Sequence, residues 1–210
     1  MKIIHLAVGL LGTNCYIIAA ENDSCVIIDP GAQPDKIAGI VEENGLSPKF
    51  ILLTHGHHDH IGGVKKLMSL FPEAGLKIGA DDLEMLSDSQ KSLAVFRYGD
   101  DAEFLIGSAS NATEGDILSA DGLEFRVISV PGHTKGGVAY LCGDALFTGD
   151  TLFREDVGRT DLYGGDYNIL RFSLAKLAAL QGDYVVYPGH GEFSTLDYER
   201  ANNPYLSGKV

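Results

Sequence analysis

Apolar residues in this chain come in short runs, each cut off by glycine, proline or aspartate, and this punctuation constrains the fold more than any other feature. Ile3–Val8, Cys15–Ala20, Cys25–Ile28 and Phe50–Leu53 read as buried strands. The signal returns in Ile117–Leu118, Leu123–Val130, Val138–Leu141, Ala145–Thr148 and Tyr184–Tyr187. Between the strands, Pro34–Asn44 sets Ile37, Ile40 and Val41 at helical spacing, with a proline in front and Gly45 as a stop. Ile61–Phe71, Tyr167–Leu180 and Leu196–Asn203 follow the same pattern. Residues 81–110 have no clean period and read as a short helix plus an irregular excursion, of the kind that covers a site. Strands and helices occur in both halves with no linker-like segment between them. The expectation is one domain over residues 1–210, a mixed α/β fold of sheets covered by helices.

Composition narrows the function. At 210 residues the chain can bury a core without disulfides, and its 26 glycines mark tight turns and close backbone approaches. A formal charge of −13 repels phosphate backbones, so no nucleic-acid partner is expected. No apolar run reaches the ~18 residues of a membrane span, and none is expected. The opening Met1–Gly12 is interrupted by His5 and has no small-x-small site after it, so it reads as a strand and turn, not a leader. Cys15, Cys25 and Cys142 form no CxxC pair, which is the usage of a reducing, cytoplasmic compartment and of packing residues.

The histidines carry the chemistry. Of seven, four fall in His55-Gly56-His57-His58-Asp59-His60, straight after an apolar strand. His133 and His190 each follow Pro-Gly at another strand end, and Asp150 ends a third. One histidine is usually a hydrogen-bonded structural residue, but four in six would repel one another if protonated and gain nothing as packing. Neutral imidazoles and carboxylates are the donors that zinc, iron and manganese accept. Seven such groups suffice for two ions if one carboxylate bridges. His55 and His57, two apart in an extended loop, can converge on one ion. Asp59 and His60, at the next helix start, point towards a second. His58 occupies a spacer position and is left off the ligand set.

With these residues in view, Thr54-His55-Gly56-His57-His58-Asp59-His60, His133, Asp150 and His190 resemble the metallo-β-lactamase superfamily. Pro131-Gly132-His133-Thr134, Phe147–Phe153, Val157–Leu162 and Ser194–Arg200 resemble its glyoxalase II branch, the hydroxyacylglutathione hydrolases, in the short bacterial type without a C-terminal helical domain. The resemblance runs from about Asn14 to Tyr205. It implies a four-layer αββα sandwich with the metal site at one edge of the sheets. It implies that His55, His57 and His133 hold one ion, that Asp59, His60 and His190 hold the other, and that Asp150 bridges them. Asp29, in Ile28-Asp29-Pro30-Gly31, either orients a ligand histidine or simply forms a turn.

The reaction implied is hydrolysis of S-2-hydroxyacylglutathione, such as S-D-lactoylglutathione, by a hydroxide bridging two divalent ions, zinc foremost, with iron or manganese admitted. Asp59 would orient that hydroxide as well as ligate. Two dications less two carboxylates and a hydroxide leave roughly +1, a local focus for a small anionic thioester. Arg159 is the first candidate to hold that anion, its bland alternative being a salt bridge with Asp161. Arg154 and Tyr163 share its loop as weaker candidates. The rivals on the same fold are an iron persulfide dioxygenase and a lactonase or other ester hydrolase. β-Lactam hydrolysis is disfavoured by an acidic Asp59 and by aspartate, not cysteine, at the bridging position. A non-catalytic binding module would be expected to have lost ligands, and none is missing. Oligomeric state is not legible.

Overall fold

Strands that are apolar on both faces must be covered on both faces, and β2 (Thr13–Ala19) and β3 (Ser24–Ile28), after β1 (Lys2–Val8), show how. Cys15, Ile17 and Ile27 point to one core, while Tyr16, Ile18, Val26 and Ile28 point to another. A computed structural model describes residues 1–99, 106 and 109–206 of the chain. The first core is closed by α1 (Pro34–Glu43) through Ile37 and Val41, and by α3 (Val64–Leu70) through Val64 and Leu67, the short α2 (His58–Ile61) lying between them in sequence. β4 (Ser47–Leu52), β5 (Gly75–Gly79) and β6 (Ser110–Ala112) complete the first sheet, in spatial order β1 to β6. A 3-10 helix (Ala80–Ser87) and α4 (Val95–Tyr98) separate β5 from β6.

The second sheet contains β7 (Ile117–Ala120), β8 (Leu123–Ser129), β9 (Val138–Cys142) and β10 (Ala145–Gly149). After the hairpin β11 (Leu152–Phe153) and β12 (Asp156–Val157) and helix α5 (Tyr167–Ala178), it gains β13 (Val185–Pro188) and β14 (Ser194–Thr195). Phe125, Val127, Tyr140 and Phe147 meet the first sheet. The outer face packs on Leu170, Leu174 and Leu177 of α5 and on Leu196 of α6 (Leu196–Asn202). Three apolar layers thus separate four layers of structure, the expected αββα sandwich.

Strand direction decides where polar residues gather. β3 and β4 are parallel, so Asp29 and the histidine hexapeptide leave the first sheet at one edge. β10 and β13 are parallel, and β8 shares their direction because β9 runs antiparallel to both β8 and β10. His133, Asp150 and His190 therefore leave the second sheet together. The two edges are joined directly: Val138 N–H donates to Thr54 O at 2.8 Å and Asn14 N–H to Gly189 O at 2.7 Å.

The structure departs from the sequence reading in several places, the two-residue strands β11, β12 and β14 among them. The helix expected over Ile61–Phe71 is broken at Gly62 and Gly63, where a Cβ would lie 2.5 Å from the carbonyl oxygens of Gly31 and Pro30. Helical periodicity is blind to that close approach. β5 and β6 were not foreseen, having only five and three residues with glycine or serine at their ends. The region 81–110 holds a 3-10 helix, α4 and the start of β6 instead of one helix and an excursion; residues 100–105, 107 and 108 lie outside the described residues. The three cysteines are buried and unpaired, and burial pushes all three thiols up, as packing residues require. Among the described residues no helix is long and apolar enough to cross a membrane.

Candidate metal centre

Four of the five imidazoles that converge at the shared edge are held by one ring nitrogen, and that decides what the other offers. His133 Nδ1 lies 2.7 Å from Arg159 O, His190 Nδ1 3.2 Å from Leu11 O and His60 Nδ1 2.9 Å from Asp29 Oδ2. His55 Nδ1 lies 3.1 Å from Thr54 Oγ1, whose own hydroxyl donates to Asp29 Oδ2 at 2.6 Å. All four partners are oxygens, so Nδ1 carries a proton and Nε2 is the nitrogen that faces the centre. Those nitrogens meet one another and Nδ1 of His57. His133 Nε2 is 2.9 Å from His57 Nδ1, and His60 Nε2 is 3.3 Å from His190 Nε2.

The carboxylates sit among them. Asp59 Oδ2 is 3.2 Å from His190 Nε2 and 3.6 Å from His60 Nε2, and it accepts from Thr13 Oγ1 at 2.9 Å. Asp150 reaches both histidine groups: Oδ1 is 3.4 Å from His60 Nε2, while Oδ2 is 3.5 Å from His190 Nε2 and 3.7 Å from His133 Nε2. Three trios of donor atoms result, each within 4.8 Å: His55, His57 and His133; Asp59, His60 and His190; His55, His60 and Asp150.

The donor set fits cations. His55 Nε2 and Asp150 Oδ1 are buried without a hydrogen-bond partner, which is costly unless something else satisfies them; His57 Nε2, on the far side of its ring from His133, and His58 Nδ1 are also without one. Burial alone would lower His60, yet the carboxylates of Asp150, Asp59 and Asp29 hold it well above the ordinary histidine range. Burial would raise Asp59, and His60 and His190 hold it well below the carboxylate range instead. Burial and the neighbouring His133 keep His57 at about 3, so it stays neutral and free to donate its lone pair. Burial keeps His55 and His57 neutral, while the carboxylates favour positive charge on His60 and His190, a charge that a bound cation would supply in place of protons.

All seven expected ligand residues are therefore brought together. Asp29 has both of the roles left open for it: at φ 49° it turns the chain, and its carboxylate accepts from Thr54 N, Thr54 Oγ1 and His60 Nδ1. His58 is half-buried and turned aside, its ring 6.3 Å from that of Tyr98. The substrate candidates lie outside the cluster. The Arg159 guanidinium, 63% exposed, forks onto Asp161 through Nε and Nη2 at 2.6 and 2.7 Å, and only its backbone carbonyl touches a ligand histidine. Arg154 pairs with Glu192, and Tyr163 donates to Glu84 Oε1 at 2.6 Å.

Two residues of consequence escaped the sequence reading. Asp82, fully buried in the 3-10 helix, accepts from Gly56 N at 3.0 Å, Thr134 Oγ1 at 2.7 Å and Gly136 N at 2.7 Å. It ties the hexapeptide loop to the loop carrying His133. Asn14 donates through Nδ2 to Pro188 O and Gly191 O at 3.0 and 3.1 Å, clamping the loop of His190, and His5 fixes its amide at 2.7 Å. Nothing in the sequence near Asp82 signals its part; Asn14 opens the stretch of resemblance but carries no chemistry of its own.

An αββα sandwich with nitrogen and oxygen donors converging at one edge defines the metallo-hydrolase architecture. The chain belongs to the metallo-beta-lactamase superfamily, whose family model matches residues 8–190. It is similar to the hydroxyacylglutathione hydrolase GloC of Haemophilus influenzae, at 33% identity with all of both chains covered. Among solved structures it is similar to the BLEG-1 B3 metallo-beta-lactamase, with TM-score 0.92 and 30% identity over 99% of this chain and 100% of that one. It is also similar to TTHA1623 in a di-iron-bound form, with TM-score 0.86 and 35% identity over 97% and 100% of the two chains.

Proposed function

We propose that this chain is a thioesterase that cleaves S-2-hydroxyacylglutathione, S-D-lactoylglutathione included, to glutathione and a 2-hydroxy acid, working in the cytoplasm with two divalent ions. The observation that carries the reading is the convergence of seven donors, with Asp150 spanning both groups, in a chain similar end to end to a hydroxyacylglutathione hydrolase. His55, His57 and His133 would hold one ion and Asp59, His60 and His190 the other, with Asp150 between. When bound, such a pair supplies Lewis acidity, lowering the pKa of water from 15.7 towards ~7 and polarising a carbonyl oxygen.

The chain's own groups do the rest. Water adds across the C–S bond: its oxygen bonds to the acyl carbon, the thiolate departs with the bonding electrons, and a proton ends on the thiol. Asp59, held ionised and anchored by Thr13 on Oδ2, would also accept from the attacking water and orient it. Asp29 fixes the rings of His60 and, through Thr54, of His55. Arg159 would meet an anionic end of the substrate by exchanging its pair with Asp161, and Arg154 and Tyr163 would have to leave Glu192 and Glu84 to join it.

A second reading, β-lactam hydrolysis at the same centre, is favoured by the likeness to BLEG-1 at 30% identity. The likeness to a di-iron protein keeps iron beside zinc and makes oxygen chemistry worth an assay. Purified protein is expected to hold close to two divalent ions per chain and to hydrolyse S-D-lactoylglutathione. Chelation should abolish activity and metal return should restore it. A β-lactam and glutathione persulfide with oxygen uptake, assayed on the same sample, separate the competing chemistries. Activity indifferent to chelator in metal-free protein would dispose of the proposal. Arg159→Ala is expected to raise KM more than it lowers kcat at unchanged metal content, because the carbonyl that serves His133 belongs to the main chain. A fall in kcat alone at saturating substrate would contradict a holding role.

A further inference from the structure

A cleft of about 260 Å3 opens beside Asp59 and Thr13, between the β1–β2 turn and α4. Its walls are apolar and come from segments far apart in sequence: Leu10 is 80% exposed and Leu11 61%, Phe96 84% and Tyr98 47%. Large apolar side chains scattered singly over a surface need no explanation, but four around one cleft at a reactive centre do. One cation joins them. Arg97 lines the same cleft with its guanidinium carbon 5.8 Å from the Tyr98 ring, and among the described residues it has no carboxylate partner. Arg159, Arg154 and Lys91 are committed to Asp161, Glu192 and Glu84. The cleft has room for roughly nine water-sized units, the scale of one arm of a small molecule.

We infer that this cleft is a specificity site: it takes one arm of the substrate, an apolar segment bearing a negative charge, with Leu10, Leu11, Phe96 and Tyr98 around the segment and Arg97 on the charge. The inference rests on the proposed hydrolase reading for the reaction, though not for the binding. It assigns the substrate an amphipathic arm, where glutathione alone would bring a polar one. The occupant is argued from continuity with Asp59 and from Arg97, which has no carboxylate partner among the described residues while Arg159, Arg154 and Lys91 are paired.

The test uses the metal-loaded protein and thioesters varied on one arm at a time. The acyl arm runs acetyl, butanoyl, hexanoyl and adipoyl on N-acetylcysteamine; the thiol arm runs matching chain lengths on a fixed acetyl group. Along one arm, kcat/KM should rise about three- to fourfold per methylene until the cleft is full. Leu10→Ser/Phe96→Ser should flatten that gradient, and Arg97→Gln should remove the preference for the carboxylated chain at least fivefold. In parallel, calorimetry with hexanoate, adipate and acetate reads binding without turnover. Flat series on both arms beside measurable hydrolysis would overturn the inference and leave the thioesterase reading standing. If no thioester is turned over, the reading of the reaction fails and calorimetry decides the cleft alone: weaker binding of hexanoate and adipate in the variants supports it, unchanged binding overturns it. A dimer in sedimentation that dissociates in Leu10→Ser/Phe96→Ser would also overturn it, since a second copy would then be the occupant.

Discussion

Gly189→Ala is expected to strip the centre of metal although it removes none of the seven donor side chains. A Cβ at Gly189 would lie 2.1 Å from Asp150 Oδ1 and 2.8 Å from His60 Cε1. The backbone there is not left-handed, so alanine itself is tolerated and the effect is purely steric. His60 cannot retreat, being fully buried and bonded to Asp29 at 2.9 Å, and Asp150 Oδ1, which no hydrogen bond holds, must swing away from its place between the two histidine groups. The glycine is itself pinned, its N–H on Gly149 O at 2.8 Å and its carbonyl on Asn14 N at 2.7 Å. Loss of a single outer partner of a metal ligand commonly costs 10–100-fold, and here the intrusion is on two ligands directly. We expect kcat/KM to fall at least ~100-fold and metal content to drop below one ion per chain, with unchanged far-ultraviolet circular dichroism. Wild-type metal content in this variant would mean that the seven donors do not form the centre.

Asp82→Ala should act on the other side of the site and through stability. Removing the carboxylate leaves the amides of Gly56 and Gly136 and the hydroxyl of Thr134 buried without acceptors. Buried donors left unmade cost about 1–3 kcal/mol each before relaxation, so a net loss of about 3 kcal/mol is expected. In a chain of this size that lowers Tm by roughly 6–12 °C. Thermal denaturation of metal-free protein measures this term alone. The same change unties the loop of His55 and His57 from that of His133, so in loaded protein one ion should be lost more readily than the other during titration with chelator. A Tm within a degree or two of wild type would show that the clamp is dispensable.

The contrast between these two positions shows how far the chain could be read in advance. Gly189 stands beside His190 in a Pro-Gly-His-Gly run that already pointed to a site, and the donors themselves stand at strand ends visible as breaks in apolar runs. The strands of β2 and β3 were legible because both faces are buried, which leaves an unbroken apolar signature. Asp82 had no such signal. An aspartate in an acidic, aperiodic stretch reads as solvated surface, and only the packing of the 3-10 helix against Gly136 turns it into a buried acceptor of three bonds. The break at Gly62–Gly63 was hidden for the same reason, because its cause is the carbonyls of Pro30 and Gly31, some thirty residues earlier.

What the amino-acid sequence determined by itself was the inventory of donors and their placement at the ends of buried strands, since residue type and local period are properties of neighbours along the chain. What only the tertiary structure decided was orientation: which nitrogen of each imidazole faces inward, that Asp150 spans both groups, that Arg159 turns its charge onto Asp161, and that Leu10 and Phe96 face one cleft. Those facts depend on hydrogen bonds and contacts between segments up to 179 residues apart, such as His190 on Leu11, and local sequence carries no record of them.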